Sequence, residues 1–310
     1  MSRYPKIIVV LGPTASGKSA LAVKIAKKFN GEIISADSRQ IYRGMDIGTA
    51  KPTKKEFSRI FHYLIDVKNP DQNYTAVDYK QDAIKAIKKV IGKNKLPILI
   101  GGTGLYIKAV IDNLEIPDVK PDQKLREKLD EEIKKCGLKH VFEKLVDLDP
   151  EAVYIVDPNN PRRVIRALEI VLKTKKSFSA QRQAGKPMLD FLEIGLDVPK
   201  KELDKRIDKR VDLMIRAGLL KEVEKLVKKY GTKQQSFDAI GYREIIGFLN
   251  NLCYSNDRKN RIAIKQTTEL IKRNTRNYAK RQMTWFKKDK RIHWVKNQKQ
   301  AEKLVKKFLI

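Results

Sequence analysis

Lys6-Ile7-Ile8-Val9-Val10-Leu11, then Gly12-Pro13-Thr14-Ala15-Ser16-Gly17-Lys18-Ser19, then Ala20, Leu21, Val23, Ile25, Ala26 and Phe29 at helical spacing, decide the fold. The first run is continuously apolar and rich in β-branched residues, as a strand buried on both faces requires. Lys24, Lys27 and Lys28 fall between the apolar helix positions, and Asn30-Gly31 closes the helix. Strand, glycine-bounded loop and helix in that order form a phosphate-binding loop. Its glycines let backbone N–H groups approach phosphate oxygens, and the helix N-terminus favours an anion. Lys18 adds a point charge, and Ser19 can hold Mg²⁺. The pattern does not say which phosphate compound is held.

Moving outward, Glu32-Ile33-Ile34-Ser35-Ala36 is a second apolar run, and it ends at Asp37-Ser38-Arg39-Gln40-Ile41-Tyr42. Ligands of parallel sheets bind beyond the carboxyl ends of strands, which places Asp37 toward the phosphate site. It is either a catalytic carboxylate or a turn former capping a local N–H. Phe61 to Val67 reads as a third strand. Thr75 N-caps a helix through Val77, Tyr79, Ala83, Ile84, Ile87 and Ile91 that ends near Gly92. Leu96-Pro97-Ile98-Leu99-Ile100 is another buried strand. It runs into Gly101-Gly102-Thr103-Gly104, whose backbone amides are expected to form a second wall of the same site.

The 310 residues are enough for a sizeable core, and 41% hydrophobic with 34% charged residues excludes a disordered chain. A net charge of +30 points to a polyanionic partner, nucleic acid first, although part of the excess lies on solvated helix faces such as Lys85, Lys88, Lys89 and Lys93. Cys136 and Cys253 are isolated, and His62, His140 and His293 show no ligand spacing, which argues against a zinc site or a disulfide framework. No apolar run approaches bilayer length and no leader-like segment opens the chain, so a cytoplasmic protein without a membrane partner is expected.

From residue 113 onward the texture becomes helical and charged. Gln123 to Cys136 is amphipathic, with Gly137 just beyond its end. Asn160-Pro161 starts a helix whose first turns carry Arg162, Arg163 and Arg166; cations there suggest an external anion or a solvated basic face. Strand character returns at Leu192 to Val198, so residues 116–190 read as a helical insertion into an α/β core made of 1–115 and 191–310. In the helix from Lys200, Arg206 and Arg210 lie four residues apart on one side, which suits clamping of phosphate oxygens. A last long helix, after Ser255, carries basic residues interleaved with Tyr278, Trp285 and Phe286, a composition suited to phosphate contact and base stacking.

The loop at 12–19, Ala36 to Tyr42 through Pro52, Gly101 to Tyr106, Arg163 to Glu169, Ile240-Gly241-Tyr242-Arg243-Glu244 and Ala279 to Phe286 together resemble the tRNA dimethylallyltransferases, also called tRNA isopentenyltransferases, in the family's order. The resemblance implies a P-loop NTPase-like α/β fold: a parallel sheet flanked by helices, with a helical insertion that closes over the anticodon loop. It also implies a reaction, transfer of a dimethylallyl group from dimethylallyl diphosphate to the exocyclic amine of the adenosine 3′-adjacent to the anticodon. Gly12 to Ser19 with Arg206 and Arg210 would hold the diphosphate, with Mg²⁺ on Ser19. Asp37, Thr14 and Lys18 would be catalytic. Asp37, Ser38, Arg39, Gln40, Thr103, Arg126, Arg162, Arg163, Val164, Ile165, Arg166, Gly241, Tyr242, Arg243, Lys280, Arg281, Gln282 and Trp285 would meet the tRNA anticodon stem-loop. Tyr63 departs from the pattern, which has a second His after His62, and the lack of a C-terminal zinc module points to a bacterial-type enzyme; a monomer is expected. Three readings compete: a small-molecule or nucleoside kinase, an adenylate isopentenyltransferase acting on free nucleotide, and a nucleic-acid-binding protein without catalysis.

Overall fold

The computed structural model describes residues 4–53, 60–182, 184–251 and 257–310, so Cys253 and Ser255 lie outside the described residues. Six strands, β1 (Lys6–Leu11), β2 (Gly31–Ala36), β3 (His62–Tyr63), β4 (Leu96–Gly101), β5 (Asp190–Leu196) and β6 (His293–Val295), form one sheet in the order β3-β2-β4-β1-β5-β6. Every pairing is parallel. Central β1 is buried from Ile7 to Leu11, which explains its uninterrupted apolar run: helices cover both faces of a parallel sheet. The architecture is the expected P-loop NTPase-like α/β fold.

The helices are α1 (Lys18–Lys28), α2 (Ala76–Ile91), α3 (Gly104–Ile111), α4 (Gln123–Leu148), α5 (Ala152–Ile155), α6 (Pro161–Thr174), α7 (Lys200–Arg216), α8 (Leu219–Tyr230), α9 (Tyr242–Asn250), α10 (Asp257–Phe286) and α11 (Gln298–Leu309). Thr75 caps α2 as expected, and Asp78 returns the bond to the Thr75 N–H to complete a capping box. Leu21, Ala22 and Ile25 of α1 join Ala301 and Val305 of α11 in the core on one face of the sheet. A second core gathers Ile41 and Met45 with Val211, Leu219, Val223, Tyr242, Ile245 and Ile271 from α7 to α10.

The chain divides into two compact units, one of Met1–Val110 with Met188–Ile310 and one of Ile111–Pro187. In the second, α4 to α6 pack Leu129, Val141, Leu145, Val164, Ile165 and Leu168 into their own core. α4 is two helical stretches that meet at a kink, and Gly137, at φ 86 and ψ 158, ends the first of them as expected. Other expectations change. The third strand spans only His62–Tyr63, because Leu64 and Asp66 take positive φ and turn the chain away. The sequence reading also missed α8, β6 and α11; β6 is three residues long and sits at the sheet edge.

Candidate active site

Leu11 and Ala36 both stand in register with Gly101, so β1, β2 and β4 end together and their following loops share one edge of the sheet. In the loop after β1, Gly12 lies at φ 149 and Gly17 at φ 96, backbone that side chains rarely adopt. Ser16 Oγ is buried without a partner. Lys18 Nζ donates to the Pro13 carbonyl at 3.2 Å, and Ser19 is exposed in the first turn of α1. Burial, then the Arg210 guanidinium, lowers Lys18 to about pKa 8, with Asp37 opposing. Burial likewise lowers Arg210, again opposed by Asp37.

The two arginines of α7 reach this loop together, as their four-residue spacing requires. Arg206 donates to the Ser16 carbonyl at 3.2 Å, and Arg210 to Thr14 Oγ1 at 3.1 Å. Asp37 performs the turn-forming role: its Oδ1 accepts from the Arg39 N–H at 2.9 Å and the Gln40 N–H at 3.4 Å. One carboxylate thereby ends up fixed beside Lys18 and Arg210.

The loop after β4 departs from expectation. Its Thr103 N–H donates to the Ala36 carbonyl at 3.3 Å and its Gly102 carbonyl accepts from Gln282 at 2.8 Å, so these groups are spent within the protein rather than lining an anion wall. Thr103 Oγ1 accepts from the Ser38 N–H at 3.2 Å. A Cβ on Gly104 would stand 2.1 Å from Trp285 Nε1, and one on Gly102 would stand 2.3 Å from Gln282 Nε2. The glycines of this loop make room for α10.

A cavity of about 290 Å³ opens here. Its lining combines the polar Thr14, Asp37, Ser38, Arg39, Arg210, Arg243, Tyr278 and Arg281 with the apolar Ile207, Val211, Met214, Leu219, Ile240 and Ile271. Burial, with Asp37 next, pushes the Tyr278 hydroxyl up to about 12. Of the apolar lining, Leu219 escaped the sequence reading because α8, which supplies it, escaped it; Gly218 followed by an apolar, Glu-containing first turn is the signal that marks that helix. Glu222 was missed for the same reason: it accepts from the N–H groups of Asp46, Ile47 and Gly48 at 2.8 to 3.2 Å and so shapes the cavity wall at Gly48.

Several residues expected to face nucleic acid are used internally, which corrects the sequence reading of their side chains. Tyr242 is fully buried and donates to Glu222 at 2.5 Å. Gln282 is buried against the two glycine loops. Gln40 donates to the Thr49 carbonyl, and Arg39 to the carbonyls of Gln235 and Ser236. Lys280 and Arg281 are exposed, Gly241 and Arg243 line the cavity, and Trp285 lies partly covered on Gly104.

In the second unit, Val164 and Ile165 are core residues. Arg126 and Arg166 bind buried Glu169, Arg126 through two bonds of 3.0 and 2.8 Å, so the arginine-rich helix start satisfies part of its charge internally instead of through an external anion alone. Arg162 and Arg163 are exposed. Tyr63, the departure from the family pattern, donates to Glu32 at 2.7 Å beside Lys93.

The family profile described as IPP transferase matches residues 40–289. The chain is 44% identical over 306 residues to a tRNA dimethylallyltransferase of Acetivibrio thermocellus, covering 97% of this chain and 95% of that one. It is 44% identical over 292 residues to that of Halothermothrix orenii, with 93% and 86% covered. Its structure resembles a tRNA isopentenylpyrophosphate transferase from Bacillus halodurans at TM-score 0.71 and 35% identity, over 98% of this chain and 96% of that one. It also resembles a eukaryotic dimethylallyltransferase acting on tRNA at TM-score 0.74 and 29% identity, over 91% and 69%.

Proposed function

The chain belongs to the IPP transferase family, and on that premise we propose that it transfers a dimethylallyl group from dimethylallyl diphosphate to the exocyclic amine of the adenosine 3′-adjacent to the anticodon of tRNA, releasing diphosphate. The observation that carries this reading is the convergence of the phosphate loop, Arg210 and Asp37 on a cavity that also has apolar lining. Neither the kinase nor the free-nucleotide reading finds support among these relatives.

In this reaction the bond from the allylic carbon to the diphosphate oxygen breaks while a bond from the amine nitrogen to that carbon forms. Negative charge grows on the departing diphosphate. Lys18, Arg206, Arg210 and the loop amides, with the unpartnered Ser16 hydroxyl, supply donors that neutralise it. The five-carbon tail rests against Ile207, Val211 and Met214. Asp37, whose Oδ1 is anchored by backbone N–H groups, presents its carboxylate to the amine, orients it and takes its proton as the new bond forms. The base leaves its stack to reach this carboxylate, and exposed Lys280 and Arg281 contact RNA phosphates.

Mg²⁺ fits the site. Among the described residues no group of three or more His, Cys, Asp or Glu forms a protein cage, but exposed Ser19 would offer one hydroxyl to an ion otherwise held by phosphate oxygens and water. When bound, the ion shields the diphosphate charge. Among the described residues no helix is long and apolar enough to cross a membrane.

The reaction is tested by mass spectrometry of unmodified tRNA after incubation with the protein, Mg²⁺ and dimethylallyl diphosphate. The expected product carries one added C5H8 on the adenosine beside the anticodon. Unchanged tRNA with ATP consumed instead would support a kinase.

A further inference from the structure

We propose that Gln282 is a positioning residue that ties the RNA-facing helix α10 to the phosphate loop, so that tRNA and the prenyl diphosphate raise each other's affinity through it; this rests on the functional reading above. Gln282 is 6% exposed and spends both ends of its side-chain amide on the two glycine loops. Its Oε1 accepts from the Thr14 N–H at 2.9 Å, and its Nε2 donates to the Gly102 carbonyl at 2.8 Å. The amide has one donor end and one acceptor end, so only one orientation satisfies both loops, and a buried amide bonded at both ends is held in place.

What Gln282 holds matters on both sides. Thr14 is the residue whose hydroxyl receives Arg210, so the N–H that Gln282 fixes belongs to a residue lining the cavity. On the other side, Arg281 and Lys280 precede Gln282 on the same helix and are exposed, and Tyr278 and Arg281 also line the cavity. A displacement of α10 on binding RNA moves the Gln282 amide, and with it the backbone of Thr14. Gly102 belongs to the same device. Its φ is not among the positive values, so its backbone does not require glycine; the missing side chain serves Gln282, whose Nε2 would stand 2.3 Å from a Cβ there.

Binding free energies couple reciprocally, and such couplings typically amount to about 5- to 150-fold. The test measures, by calorimetry on the full chain, the affinity for an unreactive thiolodiphosphate analogue of the prenyl donor, with and without saturating unmodified anticodon stem-loop RNA. The wild type, first shown to transfer the prenyl group, is expected to bind the analogue more tightly when RNA is present. In Gln282→Met, which keeps the volume and removes both bonds, that ratio is expected to fall toward one while RNA affinity stays within about twofold. Gly102→Ala, which displaces the amide from the other side and leaves the sequence of α10 unchanged, is expected to do the same. A merely structural Gln282 would lower the melting temperature and leave the ratio intact. A ratio that persists in both folded variants, or an active wild type without any coupling, overturns the proposal; a wild type that transfers nothing overturns the functional reading instead.

Discussion

The chain contains the plan strand, glycine loop, helix twice in one sheet, at Leu11 to Ser19 and at Gly101 to Ile107, and the two copies serve different purposes. In the first, Gly12 and Gly17 adopt φ of 149 and 96 as the backbone turns from β1 into α1, and a Cβ on Gly17 would meet nothing nearer than Arg206 at 3.9 Å. In the second, Gly101 stands against Ala36, Gly102 against Gln282 and Gly104 against Trp285, all at distances of 2.1 to 2.3 Å from an added Cβ, and none of the three has positive φ. The first loop needs glycine for conformation and the second for space. A glycine motif after a parallel strand therefore does not by itself mean phosphate.

Asp37 sits between the two loops and gives the largest expected effect. Its side chain caps the Arg39 N–H, while Ser38 beside it donates to Thr103 of the second loop. Asp37→Asn preserves an acceptor for that cap and removes the base, so turnover in single-turnover transfer is expected to fall about 10²- to 10⁴-fold with tRNA affinity nearly unchanged. Turnover within a few fold of wild type would leave Asp37 with the turn-forming role alone, and the comparison would then reduce to two structural loops.

A methyl group added to each loop separates conformation from space. Gly104→Ala drives a Cβ into the Trp285 ring and is expected to cost about 1–3 kcal/mol in chemical denaturation. Pairing it with Trp285→Leu, which vacates the space, is expected to cost less than the two single changes added together. Gly17→Ala costs about 1–2 kcal/mol through backbone strain at φ 96, and no change of a neighbour recovers it. Additive behaviour at Gly104 would mean that its glycine, too, serves the backbone.

Much of this was legible in the sequence, and what was missed has physical causes. The first loop could be read because every requirement is local: buried strand, glycines, lysine and helix follow one another in the chain. Asp37, Arg206 and Arg210 could be placed because strand ends and helical spacing fix directions over short distances. The second loop was misread because its partners Gln282 and Trp285 lie roughly 180 residues away, and a glycine's sequence does not say whether it is needed for φ or for room. Tyr242, Val164 and Ile165 belong to motifs whose neighbours face the cavity or solvent, and only packing shows that these side chains turn inward. The buried Glu169 that holds Arg126 and Arg166 is likewise invisible until helices α4 and α6 are packed.

The smallest expected effect concerns the first loop alone. Lys18 titrates near pKa 8 instead of 10.5 because it is buried and faces Arg210, with only Asp37 opposing. In the empty protein it is therefore charged below about pH 8 and increasingly neutral above. Diphosphate binds the charged form, so its affinity should be flat below pH 8 and weaken by up to about tenfold per pH unit above it, until the pKa of the complex is reached. The linked effect on stability has a definite sign. A lysine whose folded pKa is lowered destabilises the fold where it is forced to carry its charge, and this cost is relieved as pH rises from 8 toward 10.5, where the unfolded chain binds more protons. Calorimetric titration with inorganic diphosphate from pH 7 to 9.5 checks the first statement, and Lys18→Met, which keeps the length without the charge, should bind weakly at every pH in that range. A wild-type affinity that is level to pH 9.5 would mean that Lys18 keeps an ordinary pKa, and the first loop would then hold its lysine in water rather than inside the site.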